Sequence, residues 1–294
     1  MVGDDMKLIV KFNLVLLVIF AIGFAATGYV SERLLQRNAN EEILENARIM
    51  MEAALAVRSY TSSQIKPLLE TQIKYSFLPQ IVPAYSANEY FKQLRKKFPD
   101  YFYREATLNP TNPVNRATEW ESDIINIFRQ SPDRAELVGE RDTPSGRALY
   151  IARPMKINMT CLSCHDTADT APRTMVERYG GDNGFGWKVN DIMTAQIVSA
   201  PMQLPIQRAK SVFALFMASL AAIFAVIFLA LNAMLIVLVT SPVNHLSKLA
   251  NEVSLGNLDV PDFQSSGKDE IAALSEAFGR MRKSLVEAIK MLET

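Results

Sequence analysis

The chain has 294 residues, 31 basic side chains against 31 acidic ones, and an apolar fraction of 49%. Zero net charge provides no long-range attraction to nucleic acid or to an anionic surface, so nucleic-acid binding is set aside. The two cysteines, Cys161 and Cys164, and the two histidines, His165 and His245, confine thiol and imidazole chemistry to very few places.

No charged residue occurs from Phe12 to Val30, and none from Ser211 to Thr240. Each run reaches the roughly 20 apolar residues that a bilayer crossing needs. We read 1–11 as an N-terminal tail, 12–30 and 211–240 as transmembrane helices, 31–210 as a domain between them, and 241–294 as a helical module beyond. A cleaved signal peptide is the alternative for the first run, because Lys7 and Lys11 precede it and Ala25 and Ala26 lie near its end. Against that, the run exceeds a usual signal core and the helical pattern continues toward Arg58. Two spans put both termini on one side of the membrane. The basic residues do not decide which side, since Arg33, Arg37, Arg208 and Lys210 lie on the loop side.

In the intervening domain, Leu44, Ala47, Met51 and Ala54 recur at helical spacing, predicting a long helix that leaves the membrane. "SANEYFKQLRKKF" reads as a second helix with Ser86 as its cap. "YFYREATL" has the aromatic bias of a strand and is stopped by "NPTNP", where Asn109 and Asn112 fix a turn. Thr118 and Glu121 make a capping box for a helix carrying Ile124, Ile125, Ile127 and Phe128. "AELVGE" and "GRALYIARPMKI" read as two strands joined by "RDTPSG". After a short helix ending at Gly180 and Gly181, "FGWKVNDIMTAQIVSA" reads as a strand returning to the second span. The fold class is α+β, an antiparallel sheet with helices, flanked by the two spans.

Between the third strand and that short helix stands "NMTCLSCHDTADTAP". Cys-x-x-Cys-His is the attachment signature of c-type haem: Cys161 and Cys164 each add to a porphyrin vinyl group and His165 coordinates the iron. A zinc site wants four ligands, and a redox dithiol explains neither the histidine nor the missing βαβ context. Covalent haem attachment takes place outside the bacterial inner membrane. That places the domain in the periplasm and both termini in the cytoplasm. His245 then lies across the membrane from the iron, so the sixth position falls to a methionine, a tyrosine, water or nothing. Met50 and Met51, on the long helix, are the first choices, although methionines are also ordinary core fillers.

The runs "AVRSYTSSQIKPLLE", "FLPQIVPAYSANEYF", "YREATLNPTNPVNRATEWE", "LYIARPMKINMTCLSCHDTADTAP" and "YGGDNGFGW" resemble the family of PAS-like c-type haem sensor domains, over about residues 40 to 202. The resemblance implies periplasmic sensing through one covalent haem. It makes Arg58, Tyr60, Arg104, Tyr150 and Arg153 candidates for propionate or pocket contacts, with Phe185 and Trp187 on the porphyrin face.

Beyond the second span, Pro242, Leu246, Leu249 and Val253 form one heptad seam, and Ile271, Leu274, Phe278, Met281 and Leu285 a second. Between them "GNLDVPDFQSSGK" holds Gly256, which ends a helix, and Leu258 and Val260, which cover a core. With Asp269 and Glu270 opening the second helix, this resembles a HAMP domain, a relay built as a four-helix bundle by two chains. The reading is a homodimeric, non-enzymatic membrane sensor of redox state or a small ligand, handing its signal to a separate cytoplasmic protein. The alternative is a membrane-anchored electron-transfer cytochrome or accessory subunit of a respiratory or photosynthetic complex. Alkaline phosphatase fused after residue 205 should be active, and the same enzyme fused after residue 290 inactive; the reverse pattern would invert the topology.

Overall fold

The computed structural model describes residues 7–261 and 268–292, and the chain divides into two units. One spans Glu32–Val212; the other joins the flanking segments up to Ser31 and from Phe213.

Helix α1 (Leu8–Tyr60) runs without proline through both the apolar run and the predicted amphipathic stretch. It then widens into a π turn at Thr61–Ile65, followed by α2 (Lys66–Leu69). Pro67 accounts for the widening, because it lacks an N–H for the carbonyl of Ser63 and its ring crowds that carbonyl. Helix α3 (Pro83–Leu94) starts earlier than the sequence reading had it. Pro83 occupies its first turn and Val82 the cap, while the Ser86 hydroxyl lies inside the helix and donates to the Gln80 carbonyl at 3.2 Å. A proline at the first position brings helical φ and wastes no donor, so no serine cap is needed.

Strand β1 (Phe102–Thr107) leads through the two-proline turn to α4 (Glu119–Gln130), which has the expected Thr118/Glu121 capping box. Strands β2 (Leu137–Thr143) and β3 (Gly146–Lys156) form a hairpin closed by Pro144 and Ser145, with Gly146 at φ +109°. Then come α5 (Met159–His165), α6 (Arg173–Tyr179), β4 (Ile192–Pro201) and α7 (Gln203–Leu235). Strand β4 begins at Ile192 rather than at Phe185. The intervening stretch holds Gly186 and Asn190 at positive φ, as the residue just before it, Gly184, also is; such a backbone cannot join a ladder.

The sheet is antiparallel throughout, in the order β1-β4-β3-β2. On one face Tyr103, Leu149, Ile151, Val198 and Ala200 pack against Ala47, Met51 and Ala54 of α1 and Phe91 of α3. On the other, Ala106, Ala152, Ala195 and Ile197 lie under Ile124, Ile125 and Phe128 of α4. Burying each large side chain contributes about 1.5–3 kcal/mol. Alternation along the strands assigns successive residues to opposite faces.

Two ionisable side chains within this core, Glu105 and Tyr103, are partnered, whereas Ser199 Oγ on β4 has no hydrogen-bond partner among the described residues. Glu105, 2% exposed, pairs with Arg58 and accepts from the Tyr103 hydroxyl at 2.7 Å; Gln196 Nε2 donates to that hydroxyl at 3.0 Å. Burial first, and the Glu105 charge second, push the Tyr103 phenol far above its ordinary pKa, so it stays a donor. Toward the surface, Arg153 bridges Glu52 of α1 at 2.6 Å and Glu136 at 3.1 Å, and Arg48 reaches Glu136 at 3.1 Å.

In the second unit, two helices are long and apolar enough to cross a membrane. They pack through Phe20 stacked on Phe224 at 4.7 Å, and at Gly28 a Cβ would stand 3.1 Å from the Met217 methyl. Small residues of this kind let apolar helices approach closely. A second π turn, Ile236–Thr240, precedes α8 (Ser241–Ser254), where Pro242 repeats the cause given for Pro67. Gly256 at φ +95° ends α8, and Leu249, Val253 and Val260 form a small core with Leu258 and Phe278 of α9 (Glu270–Leu292). The part of the connector from 262 to 267 lies outside the described residues. The predicted seam of α9 divides: Phe278 faces this core, whereas Leu274, Met281 and Leu285 are 50%, 51% and 41% exposed.

Arg58→Ala would strand the Glu105 carboxylate without its cation. A loss of about 3–5 kcal/mol in stability is expected, read as a lowered midpoint when the detergent-solubilised protein is melted and followed by near-ultraviolet circular dichroism.

Candidate functional site

Strand β3 delivers the chain to Ile157, which is buried and held on both sides: its N–H donates to the Asp191 carbonyl at 2.9 Å and its carbonyl accepts from Asn190 at 2.8 Å. Asn158 then caps α5, its Oδ1 accepting from the Thr160 hydroxyl at 2.6 Å and from the Cys161 N–H at 3.3 Å. A cap of this type fixes where the helix begins, and with it the direction of each side chain that follows. Cys161, Cys164 and His165 stand three and four residues apart on a single turn, which brings them to one side. Both thiols are free and half-buried.

His165 is the most constrained of the three. Its Nδ1 lies 2.7 Å from the Gly184 carbonyl, and its ring stacks on the Trp187 indole at 4.0 Å between centroids and 10° between planes. The Trp187 backbone N–H returns to the His165 carbonyl at 3.2 Å, and the Gly186 backbone N–H to the Asp166 carbonyl at 2.7 Å. A carbonyl only accepts, so Nδ1 carries the proton and Nε2 presents its lone pair. Burial pushes the imidazole pKa below its ordinary value, and the Gly184 carbonyl opposes this in part. The side chain is therefore held neutral, in the tautomer that binds a metal.

The loop that supplies the carbonyl is itself anchored. Gly184 N–H donates to Asn109 Oδ1 at 3.2 Å, and Thr111 Oγ1 lies 3.4 Å from His165 Nδ1. Gly184 has φ +88°, and a Cβ on it would stand 2.0 Å from Thr111 Oγ1. Nearby, Arg116 Nη2 donates to Asn183 Oδ1 at 3.3 Å. Cys164 borders an apolar cluster of Phe77, Ala171 and Met175 with Tyr179 and Phe185. Trp187 Nε1 is buried and has no hydrogen-bond partner among the described residues. Two thiols, a bare imidazole nitrogen, an apolar wall and an unclaimed indole N–H fit a porphyrin that carries carboxylates. Among the described residues no group of three or more His, Cys, Asp and Glu could hold a metal ion.

The other predicted site residues are placed elsewhere or are already engaged. Met50 and Met51 sit in the core between α1 and the sheet, whereas Met175 is the methionine in the cluster with Cys164. Arg58 is paired with Glu105, and Arg153 with Glu52 and Glu136. Arg104 faces Glu121 at 3.5 Å and donates to the carbonyls of Val114, at 3.2 Å, and Arg116. Tyr60 is exposed, and Tyr150 lies edge-on to Trp120 and covers Gly139. Of the predicted residues, Trp187 meets the Cys-x-x-Cys-His turn at His165, and Phe185 packs in the cluster that Cys164 borders. The sequence reading missed Thr111, Gly184 and Arg116 and gave Asn109 only a turn role. Asn112 does keep such a role, accepting from Val114 N–H at 3.2 Å. The available signal was the glycine pair Gly184 and Gly186 around Phe185, placed just before a strand.

A family model described as Tll0287-like matches residues 36–201, and a HAMP domain model matches 231–287. Among solved structures, the crystal structure of the cyanobacterial heme-protein Tll0287 is similar at 17% identity, covering 54% of this chain and 95% of that one, with a TM-score of 0.43. No curated protein matches.

Gly184→Ala places a methyl group into Thr111 on a left-handed backbone. It should cost more than about 1 kcal/mol of stability and release His165 from Trp187, seen as a change in Trp187 emission in a Trp120→Phe background.

Proposed function

We propose that this chain, which belongs to the Tll0287-like family and carries a HAMP domain behind it, is a two-pass membrane sensor with one covalent c-type haem. The observation that carries the reading is the single turn bearing Cys161, Cys164 and His165, with His165 Nδ1 committed to the Gly184 carbonyl. Cys161 and Cys164 would supply the two thioethers, His165 Nε2 a nitrogen for the iron, and Trp187 one wall and a donor. Bound there, haem supplies an iron that changes redox state or takes a small diatomic ligand. Met50 and Met51 are the proposed sixth ligands on α1, and Met175 is the rival that its own packing favours.

On this reading the domain lies in the periplasm, where haem is attached to thiols, and both termini are cytoplasmic. Helix α1 carries the response, because Met51 and Ala54 lock it to the sheet and Glu52 holds Arg153. The exposed Leu274, Met281 and Leu285 stripe fits a second copy of the chain, giving a four-helix HAMP bundle whose two packings constitute the switch. A cytoplasmic signalling protein would read that switch. The role is binding and relay rather than catalysis.

Full-length protein matured in a strain that assembles cytochromes c should retain haem through a denaturing gel, and Cys161→Ser with Cys164→Ser should lose it. A colourless wild type would overturn the reading. Nitric oxide or reduction should also alter the spectrum in a way that marks a change of ligand. Unchanged ligation in both states would instead favour an electron carrier.

A further inference from the structure

Two segments of unrelated sequence meet at Gly184: the two-proline turn that follows β1, and the glycine-rich loop that precedes β4. Gly184 is buried and uses both of its backbone groups, the N–H toward Asn109 Oδ1 at 3.2 Å and the carbonyl toward His165 Nδ1 at 2.7 Å. Its φ of +88° and its fit against Thr111 leave it one position in which both bonds form. Asn109 is fixed in turn, because its neighbour Leu108 donates to the Met193 carbonyl of β4 at 3.0 Å. The carboxamide thus ties the loop to the central strand of the sheet.

We infer that Asn109 is the positioning residue for the iron-binding histidine: by holding Gly184 it sets how strongly the Gly184 carbonyl draws on His165 Nδ1–H, and through this the electron donation of Nε2. The inference rests on the haem reading above. Without the Asn109 acceptor, the Gly184 N–H would be buried and unsatisfied. The loop then relaxes toward water and its carbonyl moves with it. A weaker Nδ1–H bond makes the imidazole a poorer donor, which favours the reduced iron. A turn that only shaped the backbone would have no such effect, and Asn112 provides that comparison within the same five residues, since among the described residues its side chain serves Val114 N–H alone.

The test uses the haem-loaded chain in detergent, with the midpoint potential and the iron–histidine stretching frequency of the five-coordinate ferrous species left on photolysis of its carbon monoxide adduct as readouts. Asn109→Ala should raise the potential and lower the frequency. Asn109→Asp, which keeps an oxygen acceptor at the same reach, should restore the frequency, and Asn112→Ala should leave both at wild-type values. If Asn109→Ala accumulates no haem, Asn109→Ser replaces it, with the same directions expected. A haem-loaded Asn109→Ala protein indistinguishable from wild type, or an equal shift in Asn112→Ala, overturns the role of Asn109 and leaves the haem reading standing. A wild type without haem overturns both.

Discussion

The hydrogen bond from His165 Nδ1 to the Gly184 carbonyl, 2.7 Å long, is the constraint on which the rest of the site depends. It selects one tautomer and one ring orientation, and each feature around it serves that geometry. Gly184 must be glycine because its backbone is left-handed and Thr111 occupies the space of a side chain. Trp187 closes the other side of the imidazole, and its backbone N–H returns to the His165 carbonyl, so motif and loop grip each other twice. The segments involved, 109–111, 158–165 and 184–187, are distant in sequence. They meet because β4 lies between β1 and β3, which brings the turn after β1 and the motif after β3 to the start of β4. Sheet topology is therefore the first requirement of the chemistry.

The long helix meets that sheet through a contact of a different kind. Glu105 and Arg58 are largely buried, and withdrawing such a pair from water costs several kcal/mol per ion, which mutual attraction and hydrogen bonds only roughly offset. What the pair adds is register. The apolar contacts of Ala47, Met51 and Ala54 tolerate small slides along the helix, whereas a guanidinium facing a carboxylate already held by Tyr103 does not. The Arg153 bridge from Glu136 to Glu52 repeats the arrangement at the surface. Helix and sheet are thereby held as one body, as a relay from the sheet to α1 requires.

What could be read from the sequence follows from the range of the interactions involved. The apolar runs, the Cys-x-x-Cys-His turn, the Thr118/Glu121 box and the heptad steps are encoded within a few residues, and the structure has helices and strands where they indicate. The Ser86 cap failed because Pro83, three residues earlier, starts the helix by itself. The early start given to β4 failed because Phe185, Trp187 and Val189 look like a strand while Gly186 among them, and Gly184 and Asn190 on either side, take left-handed backbone. The arginines expected to face a cofactor are engaged by Glu105, Glu121, Glu52 and Glu136, and the pairings of Arg58 and Arg104 bridge 47 and 17 positions respectively. Asn109 carried no local sign of its role, since its partner is 75 residues away.

The α9 seam shows why a single periodic pattern was ambiguous and what that ambiguity accomplishes. Phe278 packs within the chain while Leu274, Met281 and Leu285 remain about half exposed. Covering the remainder of three such side chains is worth about 1 kcal/mol apiece, or roughly 6 kcal/mol for two chains. Association itself costs at least about 4 kcal/mol. In the two-chain form proposed here the HAMP bundle is then close to balance by itself, and the spans must supply part of its stability. A bundle held so near balance changes packing in response to an input of a few kcal/mol, which is within what altered contacts at one helix end can deliver.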